Sequence, residues 1–148
     1  MTGSTYLGRP ETYWVELLSS PDLLERRLGA YALGEIGSCT EGTAAQLHAV
    51  MRSDPSSFVR VWAAGSLMKT GHHHVGALQG LLAACGDDLA FVRSLAVWML
   101  GRLELGDADT ASALIAVQDR LEDDDRSVRE EAGIAERRME RSLQVVDH

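Results

Sequence analysis

"DPSSFVRVWAAGSLMKTG", residues 54–71, opens on a turn-forming Asp-Pro-Ser-Ser and closes on a glycine. Between those marks Val59, Ala63 and Leu67 recur at i, i+4 and i+8, the spacing that lines one face of an α-helix. Residues 88–104, "DLAFVRSLAVWMLGRLE", repeat the statement with Val92, Ala96 and Leu100. Working outward, "LERRLGAYALGEIG" (24–37) and "SVREEAGIAERRME" (127–140) align with both without a gap, and Arg26, Arg60, Arg93 and Arg129 fall in one column at spacings of 34, 33 and 36 residues. A period in that range marks a stack of helical hairpins, because one hairpin cannot bury its own apolar face and must lay it on the next.

The rest of the chain fits this frame. Alternating β-branched and aromatic residues are all but absent, and Ala, Leu, Arg and Glu predominate, so the chain reads as helix throughout. Breaks at "SSPD", "GSCTEG", "SDPSS", "GHHH", "GDD", "GDAD" and "DDD" predict eight helices in four pairs. Ser20-Pro21 and Asp54-Pro55 each join a side-chain N-cap to a proline, whose missing N–H costs nothing in a first turn. Gly37, Gly71, Gly86 and Gly106 stand where a left-handed residue closes a helix. The expected organisation is a flexible N-terminus over residues 1–9, a single repeat domain over 10–142 and a short tail over 143–148. Small residues at Gly29, Ala63, Ala96 and Ala132 are expected to let neighbouring helices approach closely.

A turn aspartate followed by Val-Arg and a run of small residues, as in "DPSSFVRVWAA" and "DLAFVRSLAV", resembles the HEAT-repeat family. The short period and the ending "AYALGEIG" are most similar to the bacterial HEAT-like repeats found also in phycobilisome lyase proteins. The resemblance runs from about Pro10 to Met139 and implies an all-α fold, an α-α superhelix: a right-handed solenoid of about four HEAT-like hairpins. It also implies that the arginine column is structural, with Arg60 and Arg93 bonded to the turn aspartates Asp54 and Asp88, and Arg129 in the equivalent place. The outer repeats depart from the pattern. Glu25 occupies the Val column, while Glu131 and Glu136 stand where Leu95 and Leu100 stand one repeat earlier, the polar replacement that the end of a stack needs.

Composition narrows the function. With 45% apolar residues in 148, the chain can bury a core, and no stretch is long and apolar enough for a membrane span. The N-terminus lacks the basic start and apolar middle of a secretory signal, so the expected location is cytoplasmic. A net charge of −8 opposes general attraction to phosphate, and no nucleic-acid partner is expected. Cys39 and Cys85 have no paired spacing and read as plain thiols in or near the core. The histidines of "GHHH" diverge on a helix and read as a solvated turn; the acidic run from Glu122 lacks the spacing of a calcium loop. No nucleophile–base, P-loop or dinucleotide motif occurs, so the reading is of a non-enzyme with no metal and no cofactor.

What remains is the face of each second helix turned away from the core. The columns two, six and ten residues after the Val position place Arg27, Tyr31, Val61, Lys69, Trp98, Arg102, Ile134 and Arg138 on a shared concave stripe. Aromatic and aliphatic anchors edged by cations are the residue types that carry binding energy at interfaces. The expected function is a protein–protein interaction module, an adaptor or small complex subunit. Its partner is a peptide or protein surface of acidic or mixed charge, and the module acts as a monomer or within a hetero-complex. The resemblance adds two other roles, a chromophore-lyase-like subunit and a DNA-binding or base-repair protein.

Overall fold

The structure is a computed structural model that describes residues 5–146. Eight helices occur among them: α1 (Glu11–Leu17), α2 (Leu23–Ile36), α3 (Glu41–Ser53), α4 (Ser57–Thr70), α5 (His74–Ala84), α6 (Ala90–Arg102), α7 (Asp107–Gln118) and α8 (Arg126–Val146). They are preceded by two short strands, β1 (Thr5–Tyr6) and β2 (Arg9–Pro10). The chain divides between Gly80 and Leu81 into two compact units.

In the first unit α1 packs on α2, α3 on α4, and the two second helices α2 and α4 on each other. Its core is built from Leu33, Leu47, Val59 and Leu67, all fully buried, with Ala30, Ala32 and Ala63 between them. Small residues set how closely the helices approach. A Cβ on Gly29 would lie 2.7 Å from the carbonyl oxygen of Trp14, and one on Gly34 would lie 2.6 Å from Ser66 Oγ. Ser66 donates that hydroxyl to the Ala30 carbonyl. In the second unit α6 and α7 both pack on α8. Here Leu81, Val92, Val97, Leu100, Val117 and Val128 are buried, and Gly101 is the point of close approach, 2.9 Å from its imagined Cβ to Ala135 Cβ.

The sequence repeat is visible atom by atom in the arginine column. Arg26, Arg60, Arg93 and Arg129 each donate from Nη1 to the main-chain carbonyl six residues earlier, on Ser20, Asp54, Asp87 and Asp123. Each arginine thereby ties its helix to the turn that precedes it. Two of them also reach the next repeat: Arg26 grips the carboxylate of Asp54 at 2.8 and 3.3 Å, and Arg93 that of Asp123 at 2.9 and 3.0 Å. Arg60 and Arg93 do bond the expected turn residues Asp54 and Asp88, in both cases through the main chain. Asp54 offers Arg60 its carbonyl rather than its carboxylate, and Asp88 gives Arg93 only a carbonyl oxygen, at 3.1 Å.

Helix ends also differ from the reading in detail. The side-chain caps of α2 and α4 are Asp22 and Ser56, past each proline, because Ser20 and Asp54 lie before the turn is complete. Gly37 and Gly71 close α2 and α4 in the left-handed region, at φ of +83° and +78°. Gly106 does not: α6 already ends at Arg102, so Gly106 instead precedes α7 at φ −66°.

The N-terminal stretch gains structure that the sequence did not signal. Of the N-terminus expected to be flexible, residues 1–9, the first four lie outside the described residues; in the rest Thr5 pairs with Pro10 and Tyr6 with Arg9 around a two-residue turn, Leu7-Gly8, with both φ angles positive. Such turns match the twist of the strands. Tyr6 packs edge-on against Trp14 and Tyr31, and Trp14 Nε1 donates to the Arg9 carbonyl at 3.2 Å. Two-residue strands are too short for any alternation to register.

Candidate functional site

The eight residues read as a stripe fall four to each unit, and the two sets differ. In the first unit the cations are already engaged. The Arg27 guanidinium lies 4.7 Å over Trp62 and 5.5 Å from Tyr31, within a row of edge-to-face rings that runs Tyr6, Tyr31, Trp62, Phe58. Its Nε is buried with no hydrogen-bond acceptor among the described residues, so the aromatic faces are what hold the charge. Lys69 pairs with Glu35 at 2.8 Å. Val61, expected on the exposed stripe, is buried at 3% exposure. Every residue from Val61 to Leu67 is buried, so α4 has no water-facing side there, as befits a helix that is apolar all round.

In the second unit the set opens outward. Trp98 and Ile134 retain 37% and 42% exposure, and the Arg102 guanidinium lies 5.1 Å over the Trp98 ring. Trp98, Arg102, Ile134 and Arg138 line one cavity of about 170 Å³, together with Gly101, Glu131 and Ala135. Four side chains from two helices meet there because equivalent columns of α6 and α8 lie side by side. A second cavity of about 180 Å³ shares Gly101 and Arg138 with the first and is walled by Leu100, Leu103, Leu105 and Met139, with Thr110, Ser142 and Glu104 at its edge. The sequence reading missed this second half. Leu103 and Met139 stand eleven residues after their Val positions, one beyond the last column considered.

Other clusters offer less chemistry. A wider cavity of about 350 Å³ in the first unit is lined by Pro10, Glu11, Thr12, Ile36, Ser38, Cys39 and Thr40. Its thiol is a poor nucleophile, since burial raises the Cys39 pKa. Burial pushes Cys85 further, to about 12. The "GHHH" turn brings one surprise: His73, at φ +50°, stacks on His48 with ring centres 4.2 Å apart. Desolvation first, and then the neighbouring His73 and Arg52, lower the His48 pKa. No group of three or more potential ligands suited to a metal ion occurs among the described residues. Asp123, beneath Arg93, is held far below the usual carboxylate range by the hydrogen bonds from that guanidinium. It is a structural anion, buried in the turn before α8.

Paired helices packed within each unit, with an arginine in each repeat bonded to the turn before its helix, define an α-helical repeat protein. The family model for HEAT repeats matches residues 12–101, more than half of the chain. The chain belongs to the HEAT-repeat family, whose members serve in protein–protein interaction and scaffolding. No curated protein matches it. The match ends at Gly101, before α7 and α8, in the hairpin where Glu131 and Glu136 replace the expected leucines. Among the described residues no helix is long and apolar enough to cross a membrane.

Proposed function

We propose that this protein is a non-catalytic interaction module that holds a segment of a partner protein against the outward faces of α6 and α8. The observation that carries the proposal is the cavity between those helices: an exposed Trp98 capped by Arg102, facing Ile134 and Arg138. Tryptophan and arginine are among the residues most enriched at binding hot spots, and a concave site that sets Trp98 and Ile134 beside Arg102, Glu131 and Arg138 gives them somewhere to act. The family supports the role, since HEAT repeats generally mediate protein–protein interaction or scaffolding. The tyrosine and arginine of the first unit are spent on each other, which directs attention to the second.

The test is quantitative capture from host lysate by the wild type and by a Trp98→Ala, Ile134→Ala double variant shown by circular dichroism to be folded. A protein retained by the wild type and lost by the variant is the expected result. Equal capture by both would remove the α6–α8 face from consideration.

A further inference from the structure

Resting on the interaction reading above, we infer that the groove between α6 and α8 takes an extended peptide in which one carboxylate is flanked on both sides by apolar side chains. Three observations carry this. The groove is double: cavities of about 170 and 180 Å³ adjoin at Gly101 and Arg138. For scale, a cavity of about 150 Å³ accepts a benzene ring, so each half suits one apolar side chain of a bound segment. One half offers Trp98 and Ile134 as apolar surface, the other Leu100, Leu103, Leu105 and Met139, each beside charged or polar side chains at its edge.

The junction between the halves is cationic. Arg138 borders both, and Arg102 stands over Trp98 beside it. Neither arginine meets a carboxylate of the chain among the described residues, whereas Arg26, Arg93, Arg126 and Lys69 each do. Glu131 and Glu104 line the same cavities but form no ion pair with Arg102 or Arg138 among the described residues, so both guanidinium groups stay open to a carboxylate from outside. The anion is confined to that junction. Glu131 lines the first half and Glu104 the second, so further negative charge on the ligand would meet repulsion on either side. This arrangement favours a single aspartate or glutamate between apolar residues and opposes a continuous polyanion such as nucleic acid.

A random peptide library displayed on phage and panned on the full chain tests the inference, with the enriched peptides then synthesised and measured by fluorescence polarisation. Enriched sequences should carry an acid between two apolar residues. Changing that acid to its amide, or Arg138→Gln in the protein, should weaken binding by about tenfold, the weight of one charge-assisted hydrogen bond. Arg138→Gln should leave the thermal melt unchanged, since the guanidinium is exposed. Peptides that lose binding to Trp98→Ala but tolerate the amide within about twofold would overturn the acidic motif and leave the interaction site standing. Failure to enrich any peptide would overturn the motif as well, and the lysate capture would then judge the interaction site alone. A single-stranded oligonucleotide that binds through Arg138 more tightly than any peptide would overturn the motif in favour of a polyanion.

Discussion

Gly101→Ala adds one methyl group and isolates the contact on which the second unit is built. Its Cβ would lie 2.9 Å from Ala135 Cβ and 3.1 Å from Ala135 Cα, both atoms fixed to α8. No flexible side chain can swing aside, so the helices must part. Overpacking of this kind costs about 1–3 kcal/mol, while replacing a helical glycine by alanine returns about 1 kcal/mol, so a net loss of up to about 2 kcal/mol is expected. Gly42→Ala supplies the control, since its Cβ would meet only Thr40 Oγ1, at 3.9 Å, and the helical preference should leave that variant slightly stabilised. Ala135→Gly alone loses helical preference and a buried methyl, together about 2 kcal/mol. Combined with Gly101→Ala it removes the closer of the two contacts and leaves the one to the α8 backbone, so the double variant should be more stable than the sum of the two losses by about 1 kcal/mol. Urea denaturation followed by circular dichroism measures all four proteins. If Gly101→Ala were as stable as Gly42→Ala, or the two changes were additive, α6 and α8 would not touch at this point.

The remaining predictions concern the core, the thiols and the buried acid. Leu67→Ala and Leu100→Ala, at fully and almost fully buried positions, should each cost about 2–5 kcal/mol in denaturant melts; a loss below about 0.5 kcal/mol would show the register to be wrong. A thiol reagent at about pH 8 should modify half-buried Cys39 in the native protein and Cys85 only after unfolding; equal rates would contradict the buried placement of Cys85. Asp123 has a folded-state pKa depressed below its ordinary 3.8, so its ionised form stabilises the fold at all pH values above that point. This contribution is lost as pH falls through the folded value, in strong acid. The stability gap between wild type and Asp123→Asn should therefore be constant near neutrality and begin to shrink only below about pH 4. A gap that closed at higher pH would mean that the Arg93 pairing is weak.

Most of the fold was legible because it is periodic. The faces containing Val59, Ala63, Leu67 and Val92, Ala96, Leu100 followed from spacing alone, and all six residues are buried. The arginine column was legible as structure, and so were Asp54 and Asp88 as residues that Arg60 and Arg93 bond, but the main-chain acceptors and the reach of Arg26 to Asp54 and of Arg93 to Asp123 were not. A carbonyl six residues back belongs to whichever residue stands there, Ser20 in one repeat and an aspartate in the others, so it leaves no signature in the sequence. Val61 misled for a different reason. Column arithmetic assumes that every repeat exposes the same face, and α4 is enclosed along seven consecutive residues. Gly34 and Gly101 were visible as glycines, but the Ser66 and Ala135 atoms they admit are facts of three dimensions.

Charge in the column ten residues past each Val position explains why one unit closes its stripe and the other leaves it open. In the first unit that column carries opposite signs in successive repeats, Glu35 and Lys69, and the two side chains meet at 2.8 Å. In the second unit it carries like signs, Arg102 and Arg138, which repel and cannot satisfy each other. Arg102→Glu should impose the first pattern on the second unit. The new carboxylate would then occupy Arg138 from within, in competition with any acid on a ligand. Since an exposed ion pair contributes at most about 1 kcal/mol, stability should barely change, while binding of an acid-bearing peptide should fall by more than it does with Arg102→Gln. Equal losses for Glu and Gln would mean that Arg102 acts through its stacking on Trp98 alone, and that the sign pattern of the column has no part in recognition.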